Sequence, residues 1–142
     1  MAYNLFLDIN IIVDAYLAER QGNNDAWTII SAGEVGVFNL FLSESVINTT
    51  AYLTSKSIKA DMFKKGINEM LSFITVLPCS NETVIKAYHT AKNDLEKAVL
   101  YQIALDNKMD YFVTSDLKDY KKIAHPLLPV ISAKKMVELL EN

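Results

Sequence analysis

Short apolar runs of strand length alternate along this chain with longer stretches whose apolar residues recur at helical spacing. Leu5–Leu7, Val37–Leu42, Phe73–Leu77, Tyr111–Val113 and Val130–Ile131 read as strands. Helices are predicted over Ile11–Glu19, over Ala26–Ala32 behind Asn24 or Asp25, and from Ser43-Glu44-Ser45 to about Thr54. Others follow over Ile58–Leu71, from Ser80 and Asn81 to about Lys92, over Leu95–Asn107 behind Asp94, and from Ser132 to near Leu140. Strands that alternate with helices form parallel βαβ units, with helices on both faces of one sheet. The strands are continuous apolar runs rather than alternating ones, as expected when both faces are covered. The expected fold is α/β: a three-layer α/β/α domain with a central parallel sheet of four to five strands. One domain is expected over residues 1–142, since no repeat, linker or low-complexity segment interrupts the pattern.

Composition narrows the class. With 142 residues the chain is long enough to bury a core, and 51% hydrophobic against 22% charged residues excludes a disordered tail. No signal peptide is read at the N-terminus, and no apolar stretch nears the ~20 residues of a membrane span. A cytoplasmic protein with no membrane partner is expected. The single Cys79 excludes an internal disulfide framework and reads as a packed thiol beside Pro78. The net charge of −3 argues against a general nucleic-acid coat. Lysines nevertheless cluster at Lys56, Lys59, Lys64 and Lys65, and at Lys118, Lys121 and Lys122. These are either solvated helix faces or a phosphate-binding rim, the latter only where they flank an acidic site.

The chemistry concentrates in the acids. Asp8 follows the first apolar strand, with apolar neighbours on both sides, and Asp116 and Asp119 follow the fourth. Asp94 and Glu96 open a helix. In a parallel sheet the carboxyl ends of the strands share one edge, and ligands bind there at a switch in strand order. Two unit charges 4 Å apart repel by roughly 4 kcal/mol at an effective dielectric of ~20. Such a cluster raises its own pKa values or recruits a hard cation such as Mg²⁺ or Mn²⁺. Asp8, Asp116 and Asp94 are the candidate metal ligands, and Asn10 is placed to orient Asp8.

Blander roles compete. Asp94 and Asp116 are also candidate helix caps, Glu96 suits a first helical turn, and Asp119 suits a turn. Asp14 reads as solvated. His89 and His125 lack metal-ligand spacing. No phosphate-cradling glycine loop and no Gly-x-Ser-x-Gly elbow occur. Trp27 and most tyrosines read as core. A phosphoacceptor signalling domain, another α/β class, would need an aspartate after the third strand, and Phe73–Pro78 ends without one.

Taken together, Phe6-Leu7-Asp8-Ile9-Asn10, Asp94-Leu95-Glu96-Lys97-Ala98 and Thr114-Ser115-Asp116-Leu117-Lys118-Asp119-Tyr120 resemble, in order, motifs of the PIN domain. The PIN domain is a small Mg²⁺-dependent nuclease domain that includes the ribonuclease toxins of type II toxin–antitoxin pairs. Pro129-Val130-Ile131-Ser132 resembles its last strand. The resemblance implies a divalent metal (Mg²⁺ or Mn²⁺), single-stranded RNA as substrate, an antitoxin partner and a homodimer. It implies Asp8, Asp116, Asp119 and Glu96 as catalytic residues, with Asn10, Ser115 and Lys97 contacting substrate.

Two positions depart from the family pattern. The helix after the second strand normally supplies an acid, but Asn48 or Thr49 stands there, and Glu44 lies about one turn earlier. The third acid of the family falls on Lys97, whose ammonium would take a cation's place if it pointed inward. Two expectations therefore stay open: a metal-dependent endoribonuclease, or an inactive PIN-like module that binds RNA or protein.

Overall fold

The computed structural model describes residues 2–141. Its element order is β1 (Tyr3–Leu7), α1 (Ile9–Tyr16), α2 (Asn23–Glu34), β2 (Phe38–Ser43), α3 (Glu44–Thr54), α4 (Ala60–Met70), β3 (Ile74–Leu77), α5 (Asn81–Thr90), α6 (Leu95–Asp106), β4 (Tyr111–Val113), α7 (Leu117–Lys121), β5 (Val130–Ile131) and α8 (Ala133–Leu140). All strand pairings are parallel, in the order β3-β2-β1-β4-β5. The fold is the expected three-layer α/β/α arrangement, with five strands.

β1 is the central strand because its residues tolerate no water: Leu5, Phe6 and Leu7 are fully buried between the helical layers. The chain lays β2 and β3 on one side of β1 and then returns to place β4 and β5 on the other. Strand order thus reverses between β1 and β4, and the crevice at their carboxyl ends is where such sheets bind ligands. Phe6 pairs in register with Phe112 of β4, and their rings stack 5.3 Å apart. That stack fixes the two strand ends relative to each other. α1 packs on α2 and α3, α2 on α8, and α5 on α6. α2 approaches β2 closely at Gly33, where an added Cβ would fall 2.2 Å from Leu40 Cδ1. Gly36 turns the chain into β2 with φ 84°, a conformation that disfavours side chains.

Helix starts follow the sequence chemistry. The side chains of Ser43, Ser80, Asp94 and Ser132 each accept a backbone N–H and cap α3, α5, α6 and α8. Three local expectations are corrected. Cys79 is exposed rather than packed, because it sits in the loop between β3 and α5. Trp27 is 42% exposed, its indole N–H donating to the Ala15 carbonyl at 2.7 Å at the edge of α1. Asp14 is buried, not solvated, and pairs with Arg20 Nε at 3.0 Å. Among the described residues no helix is long and apolar enough to cross a membrane.

Candidate functional site

β1 ends at Leu7, and the ladder runs one step further as the Asp8 N–H donates to the Val113 carbonyl at 3.0 Å. Asp8 then stands at the N-cap position of α1, yet its carboxylate makes no capping bond. It turns instead toward the end of β4 and is only 3% exposed. Three donors converge on it. Thr114 Oγ1 and Asn10 Nδ2 donate to Oδ2 at 2.7 and 3.1 Å, and the Tyr120 hydroxyl donates to Oδ1 at 3.0 Å. Burial pushes the Asp8 carboxyl above the usual aspartate range, only partly offset by the hydrogen bonds from Thr114, the Ile9 N–H and Tyr120 and by the charge of Lys97.

Asn10 joins Asp8 to the loop after β4, since its Oδ1 also accepts the Ser115 N–H at 3.0 Å. Ser115 thus contributes its backbone to the loop, and its side chain lies at the surface. Thr114 links the two acidic segments. Its hydroxyl donates to Asp8 while its oxygen accepts the Asp116 N–H at 2.9 Å.

Asp116 precedes α7 but does not cap it. Its Oδ2 accepts a short hydrogen bond from Lys97 Nζ. The same ammonium donates to Asp119 Oδ2 at 2.7 Å and lies 3.9 Å from Asp94 Oδ2. Partial burial of Lys97 opposes its charge, but the hydrogen bonds and charges of Asp116 and Asp119 win, holding the ammonium above the usual lysine range. Lys97 in turn holds Asp119 below the usual carboxylate range. Asp94 is committed to α6, its Oδ1 accepting the Lys97 backbone N–H at 3.1 Å.

The remaining residues divide between clefts. Asp8, Asn10, Arg20, Leu53, Glu96, Lys97 and Tyr120 line one of about 280 Å³. Lys92, Asp94, Lys97, Asp119 and Lys122 line a neighbouring one of about 510 Å³. Glu96 is exposed on α6 and faces the first. Glu44 lies apart, in a cleft with Ser45, Leu77 and Cys79, and Asn48 is exposed on α3. Lys122 flanks the site, 3.7 Å from Asp119 Oδ1. Lys64 and Lys65 lie along α4 in a hollow of their own.

Sequence reasoning missed three of these residues. Thr114 and Tyr120 bond Asp8 directly, and Arg20, the sole arginine, lines the same cleft while anchored on buried Asp14. The Tyr120 hydroxyl, three residues after α7's Leu117 and within the acidic segment that follows β4, was a readable signal for its part.

The model of the PIN domain family matches residues 4–118. The chain belongs to the PIN-domain family. No curated protein matches it by sequence. Among solved structures, VapBC2 from Rickettsia felis, bound to a DNA fragment from its promoter, is similar with a TM-score of 0.66 and 17% identity, over 91% of this chain and 98% of the other. A toxin–antitoxin complex from Klebsiella pneumoniae gives 0.62 and 17%, over 87% and 94%. VapC20 of Mycobacterium tuberculosis, a sarcin–ricin loop cleaving toxin, gives 0.61 and 10%, over 76% and 86%. At these identities the likeness speaks for the PIN fold.

The Mg²⁺ or Mn²⁺ that the family resemblance implies does not fit the side chains as this PIN domain arranges them. A hard cation takes several oxygen ligands, at 2.0–2.1 Å for Mg²⁺. Here Lys97 engages Asp116 and Asp119, and Asp94 caps a helix. Among the described residues, no three Asp, Glu, His or Cys side chains are arranged to hold a metal.

Proposed function

We propose that this PIN domain is of the toxin–antitoxin type and holds single-stranded RNA at the carboxyl edge of β1 and β4 as a binding module, without hydrolysing it. The observation that carries this reading is the Lys97 ammonium seated between Asp116 and Asp119. It supplies positive charge where a nuclease of this family needs a metal. Arg20 and Lys97 in the Asp8 cleft, with Lys92 and Lys122 beside it, give a phosphate backbone cations to approach. Asn10 and the Ser115 loop offer polar contacts at the rim. A small antitoxin protein is the partner proposed by analogy with the complexes to which the fold is similar, and a second copy of the chain is proposed from the family resemblance alone.

The test is retention of a short single-stranded RNA by the purified chain, with and without EDTA. Salt-sensitive, EDTA-insensitive binding that leaves the RNA intact supports the reading. Binding that needs a divalent ion, or no binding at all, rejects it.

One observation favours a second reading, a metal-dependent endoribonuclease using Asp8, Asp116, Asp119 and Glu96. Asp8 and Glu96 face a common cleft. Cleavage of RNA in Mn²⁺ that is lost in Asp8→Asn would establish it over the first.

A further inference from the structure

We propose that Lys97 and Tyr120 together oppose divalent ions at this acidic edge, Lys97 as a resident cation among Asp94, Asp116 and Asp119, and Tyr120 as a donor that competes with a metal for Asp8. The inference deepens the binding-module reading and rests on it for its meaning, but its test is independent of RNA.

Lys97 leaves the first turn of α6, the turn that Asp94 caps, so its backbone is fixed where its side chain must start. Its ammonium passes 5.9 Å from the centre of the Tyr120 ring and ends on two carboxylates from the β4–α7 segment. Its side chain is 24% exposed. The covalent tether makes the ammonium's effective concentration at these acids high compared with any free ion. A divalent ion and an ammonium cannot share the space, because like charges a few ångströms apart repel.

On the Asp8 side of the edge, divalent ions are opposed by different means. Each carboxylate oxygen carries two acceptor lone pairs, so a metal at Asp8 would compete with the donors already there rather than find a bare carboxylate. The Tyr120 hydroxyl takes Oδ1, while Thr114 and Asn10 take Oδ2. Tyr120 is itself fully buried, its ring 4.5 Å from that of Phe112, which holds the hydroxyl beside Asp8. Two separate substitutions thus act on two separate groups of acids.

The experiment is Mn²⁺ titration by calorimetry and by electron paramagnetic resonance, with circular dichroism to verify the fold. The wild type, Lys97→Asp, Lys97→Ala and Lys97→Asp with Tyr120→Phe are compared. Wild type should show no saturable binding, and the melting temperature should not move with Mn²⁺. Lys97→Asp should take up one ion saturably, at least about tenfold more tightly than any residual association of wild type, with a Mn²⁺-dependent rise in melting temperature. Tyr120→Phe should strengthen that binding, and Asp8→Asn should abolish the gain. Lys97→Ala carries the test if the aspartate variant does not fold. Saturable Mn²⁺ binding by wild type overturns the proposal, as does a folded Lys97 variant that takes up no ion. Failure of RNA retention would leave this result untouched, and the converse also holds.

Discussion

Lys97 Nζ lies 2.7 Å from Asp119 Oδ2, joining the first turn of α6 to α7 across the carboxyl edge of the sheet. The same ammonium holds Asp116, so one side chain gathers acids that would otherwise repel one another. The tether makes the edge of this PIN domain self-contained.

Tyr120→Phe should destabilise the fold. The ring still packs on Phe112, but the buried Asp8 carboxyl loses a donor, a change worth about 1–3 kcal/mol. Urea unfolding should show a lower midpoint with an unchanged slope. A loss below about 0.5 kcal/mol would mean that the hydroxyl does not support Asp8.

Asp8 and Asp119 should show opposite pH dependences. Burial raises the Asp8 carboxyl in the folded state, so folding favours its protonated form. That contribution is full below the unfolded value of ~3.9 and declines as pH rises through the folded value. Lys97 lowers Asp119, whose contribution is present above ~3.9 and is lost as pH falls through its folded value. The melting temperature of Asp8→Asn relative to wild type should therefore climb as pH rises above about 4. For Asp119→Asn, the deficit relative to wild type should shrink as pH falls below ~4. A flat or falling difference for Asp8→Asn would contradict the assignment.

Arg20→Ala should weaken RNA retention and reduce its salt dependence. The guanidinium lines the Asp8 cleft while its Nε rests on Asp14. Loss of one phosphate contact on a single strand lowers the slope of log affinity against log salt by about 0.7. An unchanged slope would remove Arg20 from the RNA path.

Most of the architecture was legible because the physics was local. Apolar runs gave the strands, and Ser43, Asp94 and Ser132 gave the starts of α3, α6 and α8. Asp8 was legible for the same reason, as an acid ending a buried strand. Its partners were harder to read, since Thr114 and Tyr120 meet it from more than a hundred residues away. Lys97 was identified as a departure from the family pattern, but spacing along a helix could not say where its flexible side chain would end. Asp14 reads as solvated because nothing in its own helix foretells the Arg20 loop that folds back over it.

The most direct measurement is a crystal structure of the wild-type chain soaked in Mn²⁺, with anomalous data collected at the manganese edge. The Lys97 ammonium should lie between Asp116 and Asp119, with no anomalous peak within ligation distance of Asp8. A peak bound to Asp8 and Asp116, with Lys97 swung out to solvent, would contradict this arrangement.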